Sequence, residues 1–346
     1  MTAASAGSSS RRSDSSDNAE SMSPLGGRYT TPTVTCASEP LIDTTSASRF
    51  SVVVDKLPST VALNVSQMYS ATPVPLLLLG QDINMFEARL PQGGLMKKIL
   101  EALKDLVVNA NWDLSSEGMS LQAMDQSHVS LVSVLLQSSG FEEYRCDTNC
   151  IMGIQLATMI KVMKCCNNDD SLKMEYKDDP GDTVTFTFES PNQERTSEFT
   201  VKLMTIDSEH LALTDDGYDA MITMPSAEFQ RICRDLSAFG DAVTIAVIKN
   251  SVTFNASGDL GGGTITLLET NSEKEEEKVQ IEMDNPVALT FAFKYLHYFC
   301  RGAPLSPLVK LTLRNDSPLV VQYDIANIGN IRYFLAPKVT DEDEAA

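Results

Sequence analysis

The side chains of this 346-residue chain that carry chemistry fall into two sets, one scattered and one periodic. The scattered set would serve acid–base, thiol or metal chemistry. Its three histidines, His128, His210 and His297, have no neighbour at the spacing that a zinc site needs. Its seven cysteines, Cys36, Cys146, Cys150, Cys165, Cys166, Cys233 and Cys300, form no CxxC pair, which favours a reducing compartment over a disulfide framework. Cys165 and Cys166 adjoin at a helix end, a poor arrangement for a disulfide or an activated thiol. The carboxylate runs at 273–277 and 341–344 read as solvated loop and tail. We therefore expect no catalytic residue, no metal and no cofactor; an enzyme using Cys165 or His128 is the alternative from that class.

The periodic set is cationic, and its chemistry is the binding of anions. In LMKKILEALKDL (95–106), Leu95, Met96, Ile99, Leu100, Leu103 and Leu106 share one helical face, while Lys97, Lys98 and Lys104 lie off it. One such helix is ordinarily a solvated Lys/Glu face, here with Glu101 and Asp105. The pattern recurs, however. GIQLATMIKVMKCC (153–166) sets Lys161 and Lys164 away from Leu156, Met159, Ile160 and Met163. SAEFQRICRDLS (226–237) does so with Arg231 and Arg234, and FAFKYLHYFCRG (291–302) with Lys294, His297 and Arg301.

These helices sit in a chain of net charge −20, with 42% hydrophobic and 21% charged residues, the make-up of a globular protein. The four windows 91–106, 155–166, 226–237 and 291–302 hold nine Lys/Arg against four Asp/Glu, a net of +5. The remainder of 85–346 holds 13 against 36, a net of −23. Cations sorted onto helices, with no aromatics interleaved for base stacking, suit phosphate contacts without sequence choice. The acidic remainder would repel a polyanion elsewhere and confine it to the helical side.

The elements that position these helices are short alternating strands. MFEARL leads through Pro91, Gly93 and Gly94 into the first helix; MSLQAMD, HVSLVSVLL and FEEYRCD follow as strands, then the second helix, then LKMEYK, TVTFTFES and SEFTVKLM. The order restarts with YDAMITM, the third helix opened by Pro225 and Ser226, and the strands AVTIAVI, SVTFNAS, GTITLLE and VQIEMD. The fourth helix and LVKLTLR, LVVQYDI and IRYFLAP close the chain. Lys97 to Arg231 spans 134 residues and Lys161 to Lys294 spans 133, which predicts duplicated domains. Residues 1–84, rich in Ser and Thr, read as a separate poorly ordered extension in which RFSVVVDKL (49–57) could form one strand. Asp14, Asp17 and Glu20 argue against a transit peptide, and no secretory signal is expected. The most apolar run, PVPLLLLG (73–80), is too short and too broken by proline to span a membrane.

From Met85 onward, roughly three quarters of the chain, the sequence closely resembles the eukaryotic proliferating cell nuclear antigen family, the sliding clamps of DNA replication. The stretches that carry this are MFEARL, LMKKILEALKDL, SHVSLV, RICRDLS, ASGDLG, PLSP, PLVVQYDIA and YFLAPK. The resemblance implies an α+β DNA-clamp fold: two duplicated domains, antiparallel outer sheets, and helices lining the inner face of a homotrimeric ring around duplex DNA. It divides the chain into the extension 1–84, an N-terminal clamp domain 85–204, a connecting loop 205–219, and a C-terminal domain 220–346 with an acidic tail.

The family's DNA-facing cations fall on Lys97, Lys98, Lys104, Arg145, Lys161, Lys164, Arg231, Arg234, Lys294 and Arg301, with Thr148 where another basic residue is usual. Its partner peptides, carrying a glutamine and two aromatics, would dock as a short helix on Met124, His128, Leu211, Leu213, Pro318, Phe334, Ala336 and Pro337; Phe334 replaces the usual Tyr. Subunits would join through Phe199, another replacement for Tyr, in SEFTVKLM and through Gly263 and Ile265 in LGGGTITLL. The three glycines 261–263 are no phosphate loop, since no Lys-Ser/Thr and no helix follow. Lys249 matches the lysine that the family modifies with ubiquitin or its relatives. The implied partners are a replicative polymerase, clamp loader, flap endonuclease and DNA ligase, in the nucleus and with no membrane; a subunit of a heterotrimeric checkpoint clamp is the nearer alternative.

Overall fold

The computed structural model describes residues 85–177, 182–207, 211–212, 217–259, 261–270, 274–315 and 317–338, all within one compact unit, Val74–Ala346. The extension 1–84, His210, Leu213 and the acidic tail 341–344 lie outside the described residues.

The chain runs β1 (Met85–Leu90), α1 (Gly93–Leu103), β2 (Asn109–Ser115), β3 (Gly118–Met124), β4 (Ser130–Gln137), β5 (Glu143–Cys146), β6 (Cys150–Gln155), α2 (Leu156–Met163), β7 (Ser171–Lys177), β8 (Thr183–Glu189) and β9 (Thr196–Lys202). It then repeats that order: β10 (Ala220–Pro225), α3 (Ser226–Leu236), β11 (Ala242–Ile248), β12 (Ser251–Gly258), β13 (Gly261–Leu268), β14 (Gln280–Met283), β15 (Val287–Ala292), α4 (Phe293–Phe299), β16 (Leu308–Leu313), β17 (Leu319–Ile325) and β18 (Gly329–Leu335). The 134-residue spacing seen in the sequence is this repeat.

Three antiparallel sheets result. Their strand orders are β5-β1-β7-β8-β9, β13-β12-β11-β15, and β14-β10-β16-β17-β18-β4-β3-β2-β6. Under the repeat, β14-β10-β16-β17-β18 is the counterpart of the five-stranded sheet, and β4-β3-β2-β6 that of the four-stranded one. The nine-stranded sheet is thus one half's five strands joined to the other half's four through seven β18–β4 residue pairs, Gly329↔Leu136 to Leu335↔Ser130. The counterparts of that joined pair, β9 and β13, are both free edges among the described strands.

Residues of the inner strands largely alternate between buried and more exposed, whereas those of the edge strands β5, β9, β13 and β14 alternate mainly between half-exposed and exposed; the buried sides join the helices' apolar faces in one core around Trp112, Tyr323, Tyr333, Phe254 and Phe299. The two halves are knit there: the Tyr333 hydroxyl donates to the Ala102 carbonyl (3.2 Å), and the Tyr333 ring stacks on Phe299 at 4.7 Å.

Three details correct the sequence reading. Residues 153–155, read as the start of the second helix, belong to β6, and 291–292, read as helix, end β15. Both are runs of two or three residues, too short for periodicity to separate strand from helix. Gly153 has a strand-specific reason, because a Cβ there would stand 2.0 Å from the Met204 carbonyl oxygen. The strand β2 has no counterpart in that reading, since NANWDLS hides its alternation behind two asparagines. Finally, α1 starts at Gly93, within the stretch read as a turn, and gives way to a turn at 104–106.

Candidate nucleic-acid interface and partner groove

Leu, Met, Lys, Glu and Ala dominate α1 and suit a helix, but its N-cap, Gln92, makes no side-chain cap. The α1 amides are satisfied by the segment after α2 instead: Gly93 donates to Asp170 O (2.7 Å) and Gly94 to Asn168 O (3.1 Å). Lys97 returns the favour, its Nζ donating to the Cys166 carbonyl just past the end of α2 and to Asn168 Oδ1 (3.3 Å). A cation at a helix C-terminus is the favourable placement for the helix dipole. Lys97 is consequently half-buried and works as a clip between helices.

The helices touch in the order α2, α1, α4, α3. Lys98, Lys104, Lys161, Lys164, Arg231, Arg234, Lys294 and Arg301 are exposed along this row. Four of the eight meet acids: Lys104 pairs with Glu101, Arg231 and Arg234 with Asp235 (3.5 and 3.2 Å), and Arg301 with Asp105. Lys294 lies over the Tyr295 ring at 5.3 Å from its centroid. Lys104 and Lys294, from different halves, line one cavity of about 380 Å³. Pairs this exposed are weak and exchange partners readily. Partial burial holds the His297 pKa below its ordinary value, so this imidazole adds no charge to the row at neutral pH. Arg145 differs from the rest: it is on β5, not a helix, and forks onto Asp147 with two 2.8 Å bonds; Thr148 is exposed in the loop that follows.

On the solvent-facing side of the nine-stranded sheet, register brings together several residues of the candidate groove. Met124 stands opposite Leu131, Leu131 opposite Phe334, and Phe334 opposite Val320, a row of side chains spaced by about 5 Å. Leu211 is delivered to this row by Gln122, whose amide oxygen accepts from Leu211 N (2.7 Å) and whose nitrogen donates to Leu211 O (2.9 Å). Gln122 is two residues from Met124 and shares its face. Ala336 N donates to Val129 O (3.1 Å), which brings Ala336 and Pro337 beside loop 125–129 and His128. Pro318 is exposed at the entry to β17. Met124 and Leu211 are 38% and 43% exposed, apolar area that no described residue covers.

Asp125 organises that loop. Its Oδ1 accepts from Val129 N (2.9 Å) and Ser130 N (2.7 Å), and its Oδ2 from Ser127 N (3.0 Å) and the Ser127 hydroxyl. Burial pushes this carboxyl pKa up, but the Ser127 hydroxyl and then the Ser130, Ser127 and Val129 amides outweigh it and lower it to about 2. Sequence reasoning missed Gln122 and Asp125. The Asp-Gln-Ser turn was a legible signal for the second, as an Asp that bonds the backbone two residues on; nothing in the sequence signals the first.

Elsewhere, Phe199 on β9 is half-buried beside Phe188 (5.6 Å), while Gly263 and Ile265 are half-exposed on β13. A Cβ on Gly263 would press on Leu236 at 3.0 Å, which explains a glycine in this strand. Lys249 is exposed in the β11–β12 turn at φ 48°. Of the thiols considered for catalysis, Cys165, in the turn just past α2, donates to Lys161 O (3.8 Å). Burial pushes the adjoining Cys166 up to about 11, against the pull of Lys97.

Twice-repeated α+β halves, antiparallel sheets and cations along one row of helices define a DNA-clamp fold. Residues 85–210 match the family model described as proliferating cell nuclear antigen, N-terminal domain, and residues 212–338 match the corresponding C-terminal domain. The chain belongs to the proliferating cell nuclear antigen family and is a DNA sliding clamp, a class that binds DNA and replication proteins and is non-catalytic.

Proposed function

We propose that this clamp is a homotrimeric ring that encircles duplex DNA in the nucleus, holds it by phosphates without regard to sequence, and tethers a replicative polymerase as a processivity factor. The observation that carries the ring is the pair of edges that no described strand covers. Because β9 and β13 are the repeat counterparts of β18 and β4, β9 of one copy can add to β13 of the next as β18 adds to β4 within the chain. Such a head-to-tail interface makes a closed ring when its rotation closes. Phe199, Gly263 and Ile265 lie in this joint, and three two-domain chains supply six similar units. The working division is 85–204 and 220–346 for the two domains, 205–219 for the loop between them, and 1–84 for a separate extension.

Lys98, Lys104, Lys161, Lys164, Arg231, Arg234, Lys294 and Arg301 meet phosphates, Lys97 and Arg145 contributing after exchange of their present partners. Met124, His128, Leu211, Leu213, Pro318, Phe334, Ala336 and Pro337 receive the peptides of polymerase, clamp loader, flap endonuclease and ligase. Lys249 is the lysine open to modification by ubiquitin or its relatives. Multi-angle light scattering on the pure full-length chain tests the ring, with a mass of three chains expected. A chain that stays monomeric and closes only with other clamp-like subunits would replace this reading by the heterotrimeric checkpoint clamp.

A further inference from the structure

Loop 125–129, one wall of the partner groove, is held from the other half of the chain. The Tyr295 hydroxyl, on α4, donates to Asp125 Oδ2 (3.2 Å) and lies 2.5 Å from the Ser127 hydroxyl. Tyr295 is 7% exposed, with Tyr298 edge-on at 6.2 Å and the Lys294 ammonium over its ring. The same loop holds His128 at φ 56°, in the left-handed region that a non-glycine residue occupies only when its surroundings impose it. Besides the backbone bonds from His128 N to Asp125 O and from Asp125 N to Ser130 O, the hydrogen bonds that fix this turn converge on the Asp125 carboxylate, and among their described donors the phenol alone arrives from a distant element. Packing does not require the hydroxyl, since a phenylalanine ring would fill the same space.

We propose that Tyr295 is a positioning residue of the partner groove: its hydroxyl fixes the Asp125 turn so that His128 and Met124 are presented ready-made to a docking peptide. This rests on the groove proposed above. A turn that is already ordered spares the peptide the entropy of ordering it, so losing the hydroxyl appears as lost affinity. The tether also makes α4, which carries Lys294, part of the groove's support, although α4 itself forms no part of the apolar row.

Calorimetric titration of the full-length chain with a synthetic peptide bearing one glutamine and two aromatics tests this. Tyr295→Phe is expected to weaken binding by about three- to tenfold, the worth of one hydrogen bond. In a His128→Ala background the same change should cost little more, because both act through one loop. A purely structural tyrosine would lower the melting temperature and leave this non-additivity absent. Wild-type affinity in Tyr295→Phe, or full additivity with His128→Ala, overturns the proposal. Should Tyr295→Phe fail to fold, Asp125→Asn replaces the oxygen that accepts from the phenol and leaves α4 intact; a loss of affinity beyond that of Ser127→Ala supports the proposal, and an affinity equal to that of Ser127→Ala overturns it. Leu211→Ala separates the two readings. Unchanged affinity there removes the groove and this proposal with it, whereas a loss there with none in Tyr295→Phe removes this proposal alone.

Discussion

The cation row and the apolar groove are built by opposite means. Each cation of the proposed DNA-facing row lies on, or just past the end of, one helix that is positioned by its own apolar stripe, and in that role its charge would need no partner. The groove has no such element: Met124, Leu131, Val320 and Phe334 come from four strands, and Leu211 from a loop held by a glutamine. A row made of independent parts degrades gradually under substitution. A groove made of interlocked parts fails at its joints.

The largest effect should come from neither region but from the edge that lets one of them work. Ile265→Asp puts a charge on the β13 edge and is expected to leave a folded monomer by circular dichroism that no longer stays on nicked circular DNA. Peptide affinity should be unchanged, since every groove residue lies within one chain. Retention on the DNA by such a monomer would refute ring closure through β13.

Next in size is the row itself. Replacing Lys98, Lys161, Lys164 and Lys294 by Ala should flatten the plot of log affinity against log salt by about 0.9 for each phosphate that is no longer neutralised. An unchanged slope would remove these lysines from the interface. Lys97→Ala sharpens the contrast, because its ammonium ties α1 to the segment that follows α2: it should cost about 1 kcal/mol of stability in thermal unfolding. The ammonium groups of the other four lysines make no ion pair or hydrogen bond among the described residues and should not share that cost.

This difference in construction also decides what the sequence could reveal. The row was legible because a 3.6-residue period sorts Lys161 from Met159 and Met163 within eight residues, and the duplicated order was legible from 134-residue spacing. The groove's members were available only through resemblance, since no local pattern relates Met124 to Phe334 across 210 residues of chain. That Lys97 is a clip and that Arg301 pairs with Asp105 depends on how α1 meets α2 and the segment Cys300–Leu305, which amphipathicity does not encode. Residues 153–155 were misread for the same reason: only the approach of Met204 shows why Gly153 is strand.

Smaller effects belong to the groove. Leu211→Ala removes buried apolar area worth about 1–2 kcal/mol on docking, roughly a tenfold loss in peptide affinity. Gln122→Ala, which touches no peptide in the proposed docking, should approach the same loss by releasing the Leu211 backbone. If Gln122→Ala binds normally while Leu211→Ala does not, the tether is dispensable and the groove's parts act independently, as those of the row do.

Acid gives the finest separation of the two regions, because it leaves lysine and arginine charged while it attacks the carboxylate that holds the loop. Asp125 is lowered from 3.8 to about 2, so its contribution to stability is complete above about pH 4 and is lost as pH falls through 2. An ordinary carboxylate titrates near pH 4. Hydrogen exchange at the Ser127, Val129 and Ser130 amides should therefore keep its protection down to about pH 3, after exposed carboxylates have taken up their protons. Protection that disappears near pH 4 would mean that the Asp125 turn is held no more firmly than any surface loop.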